Sequence, residues 1–111
     1  MAGRQPGRLS GKVAVVTGAA RGQGEAEARL FVAEGARVVV TDVLATEVRA
    51  VAADLGSAAV ALTHDVTDPA AWATVVESAV EHFGGIDVLV NNAGIHWIRP
   101  LVDEEPADVE R

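Results

Sequence analysis

A doubly wound α/β fold is predicted, with four parallel strands in one sheet and helices on both of its faces. Three observations predict it. Short β-branched runs alternate with segments of helical spacing. Three of the four runs lack polar alternation, the mark of parallel strands covered on both sides. A glycine-rich turn joins the first run to the first helix.

The expected strands are Lys12–Thr17, Arg37–Asp42, Ala59–Thr63 and Ile86–Val90. Between them, Gly22 to about Glu34 reads as a helix that buries Ala26, Leu30, Phe31 and Ala33, with Gly35 closing it. Ala45–Leu55 carries Val48, Val51, Ala52 and Leu55 on one side. In Pro69–Gly84, Trp72, Val75, Val76, Ala79, Val80 and Phe83 form one apolar stripe; Asp68 and Pro69 start that helix and Gly84–Gly85 ends it. The order β-α-β-α-β-α-β implies right-handed crossovers. The pattern then breaks: Ile95–Val102 reads as a loop and Asp103–Arg111 as the first turns of a helix. The far side of the fourth strand is expected to be uncovered, so the sheet reads as incomplete. Residues 1–10 are expected to be a flexible arm, and residues 11–111 the N-terminal part of a single domain.

Composition narrows the function. Of 111 residues, 16 are acidic and 9 basic, giving a net charge of −7. That balance argues against a nucleic-acid partner, which demands clustered cations. The absence of cysteine excludes a disulfide scaffold, a zinc–thiolate site and a thiol nucleophile, and no metal site is expected. No run approaches the roughly 20 apolar residues of a membrane span. Met1–Gly11 lacks the apolar core of a secretory signal, so a cytoplasmic protein with no membrane partner is expected.

The strongest chemical signal is Thr17-Gly18-Ala19-Ala20-Arg21-Gly22-Gln23-Gly24, between the first strand and the first helix. It fits T-G-x-x-x-G-x-G and not G-x-G-x-x-G. Such glycines let the backbone approach a pyrophosphate, which sits on the free N–H groups and positive dipole end of the helix. Taken alone, three glycines fit a tight connection equally well. Asp42 ends the second strand 24 positions after Gly18, near the roughly 20-residue spacing of a carboxylate that accepts from ribose hydroxyls. The same side chain is suited to cap the segment after it, and the two roles are compatible.

With Asp65-Val66 after the third strand and Asn91-Asn92-Ala93-Gly94 after the fourth, this constellation resembles the short-chain dehydrogenase/reductase family, in its shorter oxidoreductase branch. The likeness runs from about Ser10 to Arg111. It implies a Rossmann-like fold. It also implies a cofactor site in which Gly18, Arg21, Gly22 and Gln23, with Gly24 in the same turn, border the phosphates and adenosine ribose. Asp42 and Val43 would contact the adenosine end, and Asp65 would accept from the adenine amino group with Val66 beside the ring. Asn91, Ala93 and Gly94 would line the cofactor further on, and Thr17 would tie the turn to that segment. Gln23 departs from the family, which more often has an aliphatic residue there. Arg21 is ambiguous, since a guanidinium at this place helps hold a 2′-phosphate in other members. Asp42 is the closer and opposing charge, so NAD is expected over NADP.

The resemblance also implies hydride transfer between nicotinamide and a secondary alcohol or ketone. The family's proton transfer uses a Tyr whose pKa a nearby Lys lowers, helped by Ser and Asn. This sequence has no Tyr, and its single Lys, Lys12, precedes the first strand. No catalytic residue is therefore assigned within it, and the family's catalytic set would lie beyond Arg111. His64 and His82 read as solvated or capping histidines, while His96 and Trp97 are candidates to line a substrate pocket. The expected function is the cofactor-binding portion of an NAD-dependent oxidoreductase, inactive alone and homo-oligomeric when complete. A non-catalytic dinucleotide-binding or interaction module, or a non-functional fragment, is the alternative.

Overall fold

The computed structural model describes residues 7–91 together with the backbone of residues 94–97. Four parallel strands, β1 (Val13–Thr17), β2 (Arg37–Asp42), β3 (Ala59–Thr63) and β4 (Val88–Asn91), alternate with α1 (Gly22–Ala33), α2 (Ala45–Leu55) and α3 (Pro69–Phe83). A short β5 (Gly94–Trp97) follows, and the sheet order is β3-β2-β1-β4-β5. Valines pair with valines across the centre: Val16 lies opposite Val40 on one side and Val90 on the other. The central strands β1 and β2 are short, β-branched and largely buried, the composition a doubly covered parallel sheet needs, while β3 at the edge is only partly buried.

The alternation of side chains sorts the core into two layers. On one face Ala14, Val16, Val38, Val40, Val88 and Val90 meet Ala28, Phe31 and Val32 of α1 and Val48, Ala52 and Leu55 of α2. On the other, Val13, Val15, Val39 and Leu89 meet Val75, Ala79 and Phe83 of α3. The predicted doubly wound, Rossmann-like architecture is thus present, with helices on both faces.

Three expectations need correction. First, α1 does not bury Ala26, Leu30 and Ala33; Leu30 is 58% exposed, and the buried residues are Gly24 and Ala28. The helix comes closest to the sheet through its smallest side chains, Gly24 and Ala28, with Phe31 and Val32 packing partly buried beside them and Leu30 turned outward. Second, the stripe on α3 is only half used: Val75 and Ala79 are buried, whereas Val76 and Val80 are exposed along an apolar groove beside Ile86 and Leu89. Third, residues 95–97 are not loop. β5 pairs antiparallel with β4, Val88 opposite Trp97 and Asn91 opposite Gly94, and so covers the strand expected to be an open edge. Ile and Trp in that segment favour an extended chain once a partner is beside it.

Ends of elements follow local chemistry. Asp68 caps α3 by accepting from the Ala70 N–H at 3.0 Å, Pro69 occupies the first turn, and Gly84 closes the helix in the left-handed conformation with φ 89°. The expected arm lies outside the described residues through Pro6. From Gly7 the backbone turns against the end of α1, where the Arg8 and Leu9 N–H groups donate to Glu34. Asp103–Arg111 lies outside the described residues.

Candidate functional site

With β1 at the centre, the chain leaves β1 toward β2 on one side and reaches β4 on the other. The order therefore reverses between β1 and β4, and ligands of open α/β sheets bind outside the strand C-termini at such a reversal. Thr17, Asp42 and Asn91 end β1, β2 and β4, and His64 and Asp65 follow β3, so one edge of the sheet gathers them.

The glycine turn is built in two different ways. Gly18 and Gly22 both have φ +63°, a conformation that side chains disfavour. Gly24 is helical, and its reason for being glycine is contact: a Cβ there would stand 2.1 Å from the Gly18 carbonyl oxygen. A Cβ on Gly22, by contrast, would meet nothing within 4 Å, so open space faces the start of α1. The N-cap residue Arg21 makes no side-chain capping bond. An uncapped helix N-terminus facing open space suits an anion, because N–H groups and the helix dipole both point there.

Asp42 is fastened to this turn. Its Oδ2 accepts from the Ala20 N–H at 3.0 Å and its Oδ1 from the Leu44 N–H at 3.1 Å. The Ala19 N–H donates to the Thr41 carbonyl at 3.0 Å, so turn and strand end are tied twice. The bond to Leu44 precedes α2 and stands in for the capping role considered for Asp42. Each carboxylate oxygen accepts more than one hydrogen bond, which leaves acceptor capacity for a diol. Arg21 turns to α2, where its guanidinium stands 3.4 Å from Glu47.

A cavity of about 480 Å³ opens beside Asp42. Thr17, Gly18 and Asn91 line it, and Val43 and Val66, 61% and 49% exposed, add apolar surface. Asp65 lies next to Val66, its Oδ1 accepting from the Thr67 N–H at 2.9 Å and the Thr67 hydroxyl at 2.6 Å. Those two donors hold the Asp65 carboxyl below its ordinary pKa, so it is a carboxylate at neutral pH. Apolar walls with a carboxylate at each side suit a flat ring bearing an amino group and a sugar bearing vicinal hydroxyls.

The structure thus brings Thr17, Gly18, Asp42, Val43, Asp65, Val66 and Asn91 around one cavity. Gly22, Gln23 and Gly24 stand at the head of α1, next to the turn, and the Arg21 side chain points toward Glu47. Gly94 begins β5, and Ala93 lies outside the described residues.

Two lining residues had no place in the expected site, His64 and Trp72. His64 is not solvated: it is 3% exposed, its Nδ1 shares a hydrogen bond of 3.1 Å with the Thr41 hydroxyl, and Trp72 meets it edge-on at 4.4 Å. Burial pushes its pKa down, against the opposing pull of Asp65 and Asp68. The sequence signal that could have found this pair is the Trp opening an apolar helical stripe eight positions after a strand-end His. His82 behaves as expected, its Nδ1 lying 2.9 Å from the Ser78 carbonyl near the end of α3. His96 and Trp97 belong to β5.

Strand order, glycine turn and strand-end carboxylate together define a Rossmann-type α/β protein. The family model for short chain dehydrogenases matches residues 12–111, and this chain belongs to the short-chain dehydrogenase/reductase family of oxidoreductases. Family members bind a nicotinamide dinucleotide. A 3-alpha-(or 20-beta)-hydroxysteroid dehydrogenase of Mycobacterium tuberculosis is 57% identical over 97 residues, 87% of this chain and 37% of that protein. A sorbitol dehydrogenase of Cereibacter sphaeroides is 46% identical over 96 residues, 86% of this chain and 38% of that protein. A 3-ketoacyl-(acyl-carrier-protein) reductase from Brucella melitensis, solved with NADH, superposes with a TM-score of 0.71 at 41% identity, over 73% of this chain and 33% of its own. The chain spans a little over a third of the length of the curated relatives it matches.

Proposed function

We propose that this chain holds the adenosine and diphosphate of NAD in a secondary-alcohol or ketone oxidoreductase. The observation that carries the reading is Asp42, pinned to the glycine turn through Ala20 and facing the same cavity as Gly18. The diphosphate would rest on the uncapped start of α1, the ribose diol on Asp42, and the adenine between Val43 and Val66 with its amino group on Asp65. A 2′-phosphate would be repelled by the Asp42 carboxylate, and the Arg21 charge that would welcome it is directed to Glu47. The NADH bound to the Brucella reductase supports a dinucleotide in this class of cleft. When bound, the nicotinamide supplies the carbon that exchanges hydride. The residues of this chain bind and orient the other half of the cofactor. The proton donor and the substrate pocket belong to parts of the protein outside this cleft, and homo-oligomerisation is proposed for the complete protein.

Binding and stability test this directly. NAD⁺ at 100 times its Kd raises the unfolding free energy by about 2.7 kcal/mol. Asp42→Ala lowers the NAD⁺ to NADP⁺ affinity ratio by about tenfold, the equivalent of ~1.4 kcal/mol. Unfolding curves indifferent to both dinucleotides, or a ratio that the substitution leaves unchanged, would overturn the reading.

A further inference from the structure

The cavity lining includes two residues that the cofactor roles above do not use. His64 follows β3, is buried, and lines the cavity together with Asp65, Val66 and Trp72. Its Nδ1 is engaged by the Thr41 hydroxyl at 3.1 Å, and its Nε2 is enclosed with no hydrogen-bond partner among the described residues. Trp72 packs edge-on against the imidazole at 4.4 Å, and its indole N–H donates to the Val66 carbonyl at 3.1 Å. Imidazole, indole and the Val66 backbone therefore form one connected unit. The side chain of Val66 is one wall of the slot, and Asp65 is the residue covalently next to the histidine.

We infer that His64, in its neutral form, is a positioning residue for the adenine wall, and that its protonation releases the wall and weakens binding of the adenosine end. The inference rests on the proposed function, since it concerns the same cleft. Protonation requires an N–H on both ring nitrogens. Nδ1–H is satisfied by the Thr41 oxygen, but Nε2–H would be a buried donor on a charged ring with no acceptor among the described residues, an arrangement the protein interior penalises.

The groups that face the ring settle where an imidazolium goes. From β2 come the neutral Thr41 and the end residue Asp42, whose backbone carbonyl accepts the backbone amide of His64 at 3.0 Å. After β3 comes Asp65, and from the start of α3 come Asp68 and Trp72. Asp65 and Asp68 both favour the charged ring electrostatically, while burial disfavours it. Charging therefore draws the ring outward to carboxylates that lie on the exposed side. That movement breaks the Thr41 bond and the Trp72 contact, and it sets the imidazolium against Asp65 in competition with the adenine amino group. Burial winds the balance toward the neutral ring, so its proton is lost at a pH below the usual histidine range.

Linkage makes the proposal measurable: a ligand that selects the neutral ring must lower its pKa further. The three histidines of the full 111-residue chain are titrated by NMR with and without saturating 5′-AMP or NAD⁺, His64 being assigned by its loss in His64→Asn. The His64 pKa is expected below the ordinary histidine value, and to fall by at least about half a unit further on adding AMP, equivalent to about threefold in Kd between the two ring states. His64→Asn keeps a hydrogen-bonding group near the Nδ1 position without a titrating ring. It should bind AMP more weakly than the unsubstituted chain at pH 8, by at least about threefold, and lose the further weakening of Kd that acidification brings. His64→Leu, which retains bulk alone, supplies the same flat profile should the Asn variant fold poorly. AMP that binds while the His64 pKa stays fixed overturns the positioning role and leaves the proposed function standing. AMP and NAD⁺ that perturb no resonance overturn both.

Discussion

Gly24→Ala offers a test in which two effects predict opposite signs. Gly24 lies in the first turn of α1 with a helical backbone, so on propensity alone alanine should stabilise the helix by about 1 kcal/mol. Contact argues the other way. The new Cβ would stand 2.1 Å from the Gly18 oxygen, 2.7 Å from its carbonyl carbon and 3.1 Å from the Ala19 Cα, all backbone atoms. Restoring even a 3.0 Å approach requires a separation of about 0.9 Å between the head of α1 and the turn. The turn cannot yield freely, because Ala19 and Ala20 are hydrogen-bonded to the end of β2. Overpacking of this kind costs about 1–3 kcal/mol, which exceeds the helical gain. The expected net is a loss of up to ~2 kcal/mol, read as a fall in the urea midpoint at unchanged slope and in Tm by about 4–8 °C per kcal/mol. NAD⁺ affinity should fall as well, since Asp42 and the free amides are held by the same turn. A Gly24→Ala chain more stable than its parent would refute the contact argument.

Two further outcomes follow from other parts of the structure. Asp87 accepts the Val13 N–H through Oδ2 at 2.9 Å and donates its own N–H to the Val13 carbonyl at 2.8 Å; Asp87→Ala orphans a buried donor at the start of β1 and should lower unfolding free energy by about 1.5–3 kcal/mol, with Asp87→Asn recovering most of it. Asp65 is held below its ordinary pKa by Thr67, so its contribution is present above the unfolded carboxyl pKa, near pH 4, and is lost as the pH falls through the lower folded value. In Thr67→Val the Asp65 titration followed by carboxyl NMR should therefore move upward; an unmoved midpoint would remove the hydroxyl as a cause.

Much of the architecture is legible without coordinates. Unbroken valine runs at β1 and β2 can be buried only if both sheet faces are covered, and helical spacing between them supplies the cover. The face of α2, with Val48, Val51, Ala52 and Leu55, reads correctly because its apolar residues are also the ones that pack. The face of α1 does not, because close approach to the glycine turn favours Gly24 and Ala28 over Leu30. β5 is not legible in the sequence because four residues carry too little periodicity to mark a strand, and its identity depends on β4 lying beside it.

The same division holds in the cleft. Glycine spacing and the carboxylate after β2 are local features, set by φ values and by the length of one βαβ unit, so residue order alone specifies them. What a histidine does after β3 is another matter. Whether His64 meets water or an indole depends on how α3 crosses the sheet and brings Trp72 above it, and whether Asp42 faces the turn depends on the parallel register of β1 with β2. Periodicity and turn chemistry belong to neighbours along the chain; burial, pairing and protonation belong to neighbours in space, and only the folded arrangement decides those.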